Sequence, residues 1–248
     1  MVSMIMLSFL FVAANEPLTL LIARIEHAMI AGSIGQLEQC RQTLLENVAK
    51  SSGSEANLMR YTLAYVDWRL YPLLMTDKGK RGEVYIQEAE KQLKELVKAE
   101  PGNAEAHALL STVYGQEIGT SVWEGMVLGP KSSASIDTAL KLAKDDPRVA
   151  LQAGVGAMFT PKMFGGGTEK AEKELRRAEA LFSKEPTNTA WPNWGRLDVL
   201  AWMGQLLASK GDREGARAYY NRALALEPDY GWVRYVLLPA LDNPTKKK

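Results

Sequence analysis

The chain has 248 residues, 46% of them apolar and 24% charged, a composition that suits one large domain or one short repeat array. Net charge is +1, so there is no strong field to draw in nucleic acid or anionic lipid. A single cysteine, Cys40, excludes an intrachain disulfide framework and a cysteine-rich zinc site, and its helical flanks LEQCRQTLL predict a half-buried packing residue.

The first elements in chain order are an apolar stretch and then helices. Residues 1–14, MVSMIMLSFLFVAA, carry no charge. They are too short to cross a bilayer of about 30 Å as a helix. They suit the apolar core of a secretory signal, with Val12-Ala13-Ala14 before Asn15 as the small-residue cleavage site. No Lys or Arg precedes the run, and a buried first helix is the alternative. Cleavage predicts an exported, periplasmic protein with no membrane span in its mature form. From residue 15 onward the apolar period is helical, with no sustained alternation of the kind that marks sheet. Gly, Pro and Asn clusters place helices near 17–31, 34–50, 55–74, 82–99, 103–120, 132–144, 147–159, 168–184, 193–210, 212–226 and 229–240. Short connections favour antiparallel neighbours. One helical domain over 15–243 and a basic tail over 244–248 complete the expected organisation.

Residues 197–228 read LDVLAWMGQLLASKGDREGARAYYNRALALEP. Gly204, Ala216 and Ala223 fall where two helices must approach closely, and Leu200, Leu207 and Tyr220 where the space between them is filled. Pro228 ends the second helix, because its ring removes an N–H and clashes one turn back. Ala89, Leu93 and Pro101 repeat the second half of this pattern, and His107, Leu110 and Tyr114 the first half of the next unit. The spacing resembles the tetratricopeptide repeat over most of 55–230, most specifically at 197–230. The resemblance implies an all-α, right-handed α–α superhelix of stacked hairpins. Acid-proline pairs at Glu100-Pro101, Asp146-Pro147, Glu185-Pro186 and Glu227-Pro228 are 46, 39 and 42 residues apart. A standard unit is about 34 residues, so the units are padded.

Two insertions interrupt the array: 115–131 (GQEIGTSVWEGMVLGPK) and 160–167 (TPKMFGGG). The padded repeats and the glycine turn are similar to the exported helical-repeat T-component of TRAP transporters. That resemblance implies a helical bundle with a ligand-sized pore or cleft, working beside a solute-binding protein.

Chemistry-bearing motifs are sparse. Gly165-Gly166-Gly167-Thr168 lacks the lysine of a phosphate loop and follows no strand, so it reads as a sharp turn with Thr168 as N-cap of the next helix. His27 and His107 are eighty residues apart and read as packing residues rather than metal ligands. No nucleophile elbow appears, and the carboxylates in EAEKQLKELVKAE sit on a solvated helix face. The expectation is a non-enzyme with no catalytic residues, no metal and no cofactor.

Aromatic residues carry more information. Tyr61, Tyr65, Trp68 and Tyr71 fall on one helical face, a core stripe. Trp123 in the first insertion and Trp194 in TNTAWPNWG are each either folded back or reserved for a partner, since tryptophan concentrates interface energy. Core packing is expected for Trp202 and Trp232. Repeat register places Glu105, Thr112, Gln116, Asp198 and Gln205 on the concave groove formed by the first helices, with Glu117, Trp123 and Trp194 extending it. The sequence thus predicts a scaffold that binds a protein or peptide in that groove. A transport accessory holding a small molecule in a partly apolar cavity is the alternative.

Overall fold

A computed structural model of the protein describes residues 16–75, 80–118, 122–186 and 189–243. The signal read in 1–14 and the tail 244–248 lie outside the described residues. Five hairpins follow one another: α1 (Leu18–Ala31) with α2 (Ile34–Val48), α3 (Gly53–Leu74) with α4 (Glu83–Ala99), α5 (Ala104–Glu117) with α6 (Val122–Leu142), α7 (Pro147–Phe159) with α8 (Thr168–Phe182), and α9 (Arg196–Ser209) with α10 (Arg213–Leu226). A π-helical stretch, Trp232–Leu237, then runs into α11 (Leu238–Asp242). There is no strand among the described residues. The fold is an all-α, tetratricopeptide-like solenoid.

The fifth hairpin shows why this sequence stacks. Asp212 caps α10, its carboxylate accepting from the Gly215 amide at 2.8 Å. Ala216, Tyr220 and Ala223 are buried against α9 at helical spacing. Gly204 on α9 faces the Tyr220 ring, and a methyl group added there would overlap that ring. The two helices therefore approach as closely as a glycine permits. Outer helices α4 and α8 bury single stripes, Ile86, Ala89, Leu93 and Leu96 in one and Ala171, Leu175, Ala178 and Phe182 in the other. Inner helices α5 and α7 are covered on most sides, as rods sandwiched between neighbours must be. Their starts are fixed by side-chain caps, Asn103 accepting from Ala106 and Asp146 from Arg148 and Val149.

Two boundaries differ from the sequence reading. Helix α6 starts at Val122, not near 132, so most of the expected first insertion is helix with Pro130 inside it. A proline removes one amide donor and crowds the preceding turn. Pro130 is exposed, where no neighbour adds to that cost, and the helix continues through it. The second difference is the cap of α8. Gly167, with φ 106°, is the N-cap, and Thr168 is the first helical residue with no capping bond. The glycine turn itself is as expected, a short 3-10 stretch, Lys162–Phe164, closed by the Gly167 amide donating to the Ala157 carbonyl at 2.8 Å.

The array closes on itself. Repeats of a solenoid ordinarily touch only their neighbours. Here the segment leading into α9 reaches α3, three hairpins back. The Trp191 indole donates to Thr62 Oγ1 at 2.9 Å and the Trp194 indole to the Tyr61 hydroxyl at 3.0 Å. Arg69 on α3 donates to Asp198 on α9 at 2.5 Å. At the far end, Gly231 lies against the Ile30 and Ala31 carbonyls at the end of α1. The middle of the concave face is thereby occupied by the chain itself.

The close packing at Gly204 gives a direct test. Gly204→Ala forces a methyl into the Tyr220 ring, and overpacking of this kind costs about 1–3 kcal/mol. The melting temperature is expected to fall by roughly 3–10 °C for a chain of this size. An unchanged melting temperature would show that α9 and α10 are not in this register.

Candidate functional site

The inner face is built from α3, α5 and α7. On α3 the stripe residues Tyr61, Tyr65 and Trp68 are buried, as the spacing predicts, whereas Tyr71 is only half-buried. The polar atoms of the stripe point across the array instead of into the hairpin. Tyr61 accepts from Trp194 and donates to Glu105 on α5 at 3.0 Å. Tyr65 lies 5.2 Å from Trp191 and 5.1 Å from Trp194, ring centre to ring centre. Burial pushes the Tyr65 hydroxyl up to about 12, so it is neutral throughout the physiological range.

A guanidinium organises the far wall. Arg148, on the first turn of α7, is 3% exposed. It donates to the Glu185 carboxylate at 2.8 Å and to the Pro192 carbonyl at 3.0 Å, and it lies 3.4 Å from Glu105. One cation thus faces two carboxyls. Glu185 takes the hydrogen bonds, and burial raises the Glu105 carboxyl to about 8 despite the opposing pull of Arg148. A second buried acid, Asp67 on α3, is raised by burial to about 7 against the pull of its partner Arg41.

The candidate residues named from sequence separate into groups. Glu105, Trp194 and Asp198 are brought together around Tyr61 and Arg69. Trp194 is 8% exposed, so of its two readings the structure gives the packed one. Asp198 is buried too, held by Arg69 and by the Tyr230 hydroxyl at 3.2 Å. Thr112 and Gln116 are half-buried further along α5. Thr112 donates to Gln152 of α7 at 2.9 Å, and the Gln116 backbone carbonyl accepts from Tyr71. Glu117 is half-buried near Glu90, and burial with that neighbouring acid lifts it to about 7. Gln205 lies apart, beside a hollow of about 420 Å³ between α9, α10 and α11. Trp123 is 72% exposed on α6. His107 is half-buried and meets the Pro101 carbonyl at 3.0 Å, whereas His27 is exposed rather than packed.

Sequence reading missed Arg148, Arg69, Thr62 and Glu185. Each looks like an ordinary helix or loop residue, and only the closure of the array gives it a partner. A second hollow of about 420 Å³ opens beside this network, lined by Asn57, Tyr61, Asn103, Glu105, Asp146 and Pro192 among others. Its lining mixes polar and apolar atoms and it opens on one side, so it is partly apolar, as the small-molecule alternative expects, but not closed.

One edge of the array is different in character. The ends of α3 and α5 lie side by side there, as the Tyr71–Gln116 bond and the proximity of Tyr71 to Glu83 and Glu117 indicate. Met75 after α3, Trp123 and Met126 at the start of α6, and Phe159, Met163 and Phe164 about the α7–α8 turn are exposed to solvent. Phe159 stacks edge-on with Trp202 at 5.8 Å, and Trp202 with Trp232 at 5.2 Å. No helix among the described residues is long and apolar enough to cross a membrane.

Comparison with known proteins agrees with this architecture. No family model matches the chain. It is 32% identical over 145 residues to the human protein O-mannosyl-transferase TMTC1 and 31% identical to the mouse protein. The match covers 58% of this chain but 14% and 13% of those relatives, so the chain spans a small part of their length. Among solved structures it is similar to TTC0263, a thermophilic TPR protein of Thermus thermophilus, with a TM-score of 0.60 at 18% identity. That match covers 89% of this chain and 98% of the other, and it carries the fold alone.

The two raised carboxyls set a pH dependence. Asp67 and Glu105 bind a proton more tightly in the fold than in the open chain. Their contribution to stability is therefore complete below the unfolded carboxyl values and is lost as pH rises through about 7 and about 8. The melting temperature should fall as pH is raised from about 5 to about 9. Glu105→Gln, which fixes a neutral group, should flatten that fall by about 3 °C or more. A variant with the wild-type slope would show that Glu105 ionises normally in the fold.

Proposed function

We propose that this protein is a non-catalytic scaffold that binds a protein partner, and that the partner is engaged first by the edge carrying Trp123. The observation that supports this is the set of large apolar side chains exposed at the start of α6, Trp123 and Met126, and about the α7–α8 turn. Phe159, Met163 and Phe164 are 70%, 83% and 68% exposed. Soluble proteins leave clustered apolar surface uncovered mainly where another molecule covers it. The supporting loop is closely folded: Gly166 has no room for a side chain against the Thr160 backbone, and Lys170 donates to the Gly165 carbonyl at 2.9 Å. The half-buried α5 residues Glu105, Thr112, Gln116 and Glu117 serve this reading as a second contact surface at the margin of the filled centre, whereas Asp198 is buried and Gln205 lies apart.

Export fits the apolar run in 1–14, and it places the partner in the periplasm. A second reading, a transport accessory that holds a small molecule, draws on the partly apolar hollow beside Tyr61 and Glu105. Its lining suits a ligand with both apolar and hydrogen-bonding groups.

Trp123→Ser combined with Phe164→Ser removes the proposed anchors without touching the core. The expected result is loss of partner capture from an envelope extract by about tenfold or more, with the melting temperature held within about 2 °C. If wild type and variant retain the same proteins in equal amounts, the edge is not the contact surface.

A further inference from the structure

We infer that the inner face of α3 and α7 is a recognition site for an extended peptide carrying two indoles three residues apart, and that 190–195 of this chain (AWPNWG) is its resident occupant. This site is distinct from the apolar edge proposed above, and either can fail without the other.

Four observations support the assignment. The segment is neither helix nor part of a repeat; it is the connection between α8 and α9 laid across the first helices of earlier units. Its contacts are those of a bound peptide. Both indole N–H groups donate to hydroxyls of α3, Thr62 and Tyr61, and the Pro192 carbonyl accepts from Arg148. Side chains thus fill aromatic pockets while a backbone carbonyl is fixed by a charged donor, and in extended-peptide recognition such pockets give specificity and main-chain bonds affinity. The contacts also skip two intervening hairpins, which stacking of neighbours does not require.

The fourth observation concerns the seam. Trp68 Nε1, Arg69 Nε and Asn193 Oδ1 are buried there and make no hydrogen bond within the protein. Trp68 is itself 6% exposed and packs on Trp194 with ring centres 5.7 Å apart. Interiors seldom leave such atoms unpaired, because each loses its bonds to water without gaining a partner. The resident segment therefore fits the pockets of the face but leaves two donors on α3 unused. A partner peptide with indoles at the same spacing and a further acceptor beside the second one uses those donors as well. Such a peptide can displace the resident segment, which holds its place through its high effective concentration in the same chain.

The probe is a fluorescently labelled peptide, NTAWPNWG, taken from 188–195, titrated against the full chain. Wild type should bind it about 100-fold more weakly than the Trp191→Ala/Trp194→Ala variant, in which the site is vacated. Saturating peptide should raise the melting temperature of that variant, and a peptide with both tryptophans replaced by alanine should do neither. Thr62→Val added to the variant removes one acceptor and should weaken the peptide by about 2- to 10-fold with unchanged helicity. If the double variant does not fold, Trp191→Ala alone takes its place in the same titration. A variant that forms a dimer dissolved by the peptide also supports the site, with a second copy as occupant. A folded variant that gains no affinity for the peptide would overturn the inference. So would a gain indifferent to Thr62→Val, or loss of the helical fold in both variants, since the segment would then be permanent core.

Discussion

A buried ion pair joins two hairpins that stand three repeats apart. Arg69 of α3 and Asp198 of α9 meet at 2.5 Å with side chains 13% and 10% exposed. Removing two charges from water is expensive, and neighbouring groups offset part of that cost although Arg69 Nε is left without a hydrogen bond. Tyr230 donates to Asp198, and the guanidinium lies over the rings of Trp68, Tyr65 and Trp194 at 4.3, 5.1 and 5.5 Å. If that pair is held together, the segment before α9 must cross α3, and the concave centre must fill with Trp191 and Trp194. The charge pair therefore decides whether this array is an open trough or a closed ring.

The regular part of the fold was legible because the repeat is a local code. Gly204 opposite Tyr220, and Ala216 and Ala223 one helix away, declare a hairpin within thirty-two residues. Helix α6 was misplaced because a proline that breaks a buried helix is tolerated on an exposed one. Arg148 was invisible for a different reason. In DDPRVALQ it looks like a solvated charge, and nothing nearby in sequence reveals Glu185, Glu105 and Pro192 as its partners. Trp123 and Trp194 illustrate the same limit. Both are tryptophans outside the regular repeat pattern, and their residue type cannot tell which one a distant helix covers. The tyrosine stripe of α3 was correctly read as packing, but the hydroxyls that connect it across the array follow from closure, not from spacing.

The consequence for function is a separation of surfaces. An open tetratricopeptide array presents its first helices to a partner. In this chain the corresponding face is occupied along its centre, while the start of α6 and the α7–α8 turn expose apolar groups. The similarity to TTC0263 extends over nearly the whole array and concerns the path of the helices. The indoles of Trp191 and Trp194 occupy the space that this path encloses, and in the inferred peptide site they are the internal competitor.

A double-mutant cycle on Arg69→Leu and Asp198→Leu tests closure most directly, because these two residues are in contact only if the second and fifth hairpins meet. Contact across the ring predicts that each single variant destabilises the chain and that the double variant loses at least about 1.5 kcal/mol less than the sum of the two. Effects that add to within about 0.5 kcal/mol would mean the two side chains do not touch and the array is open.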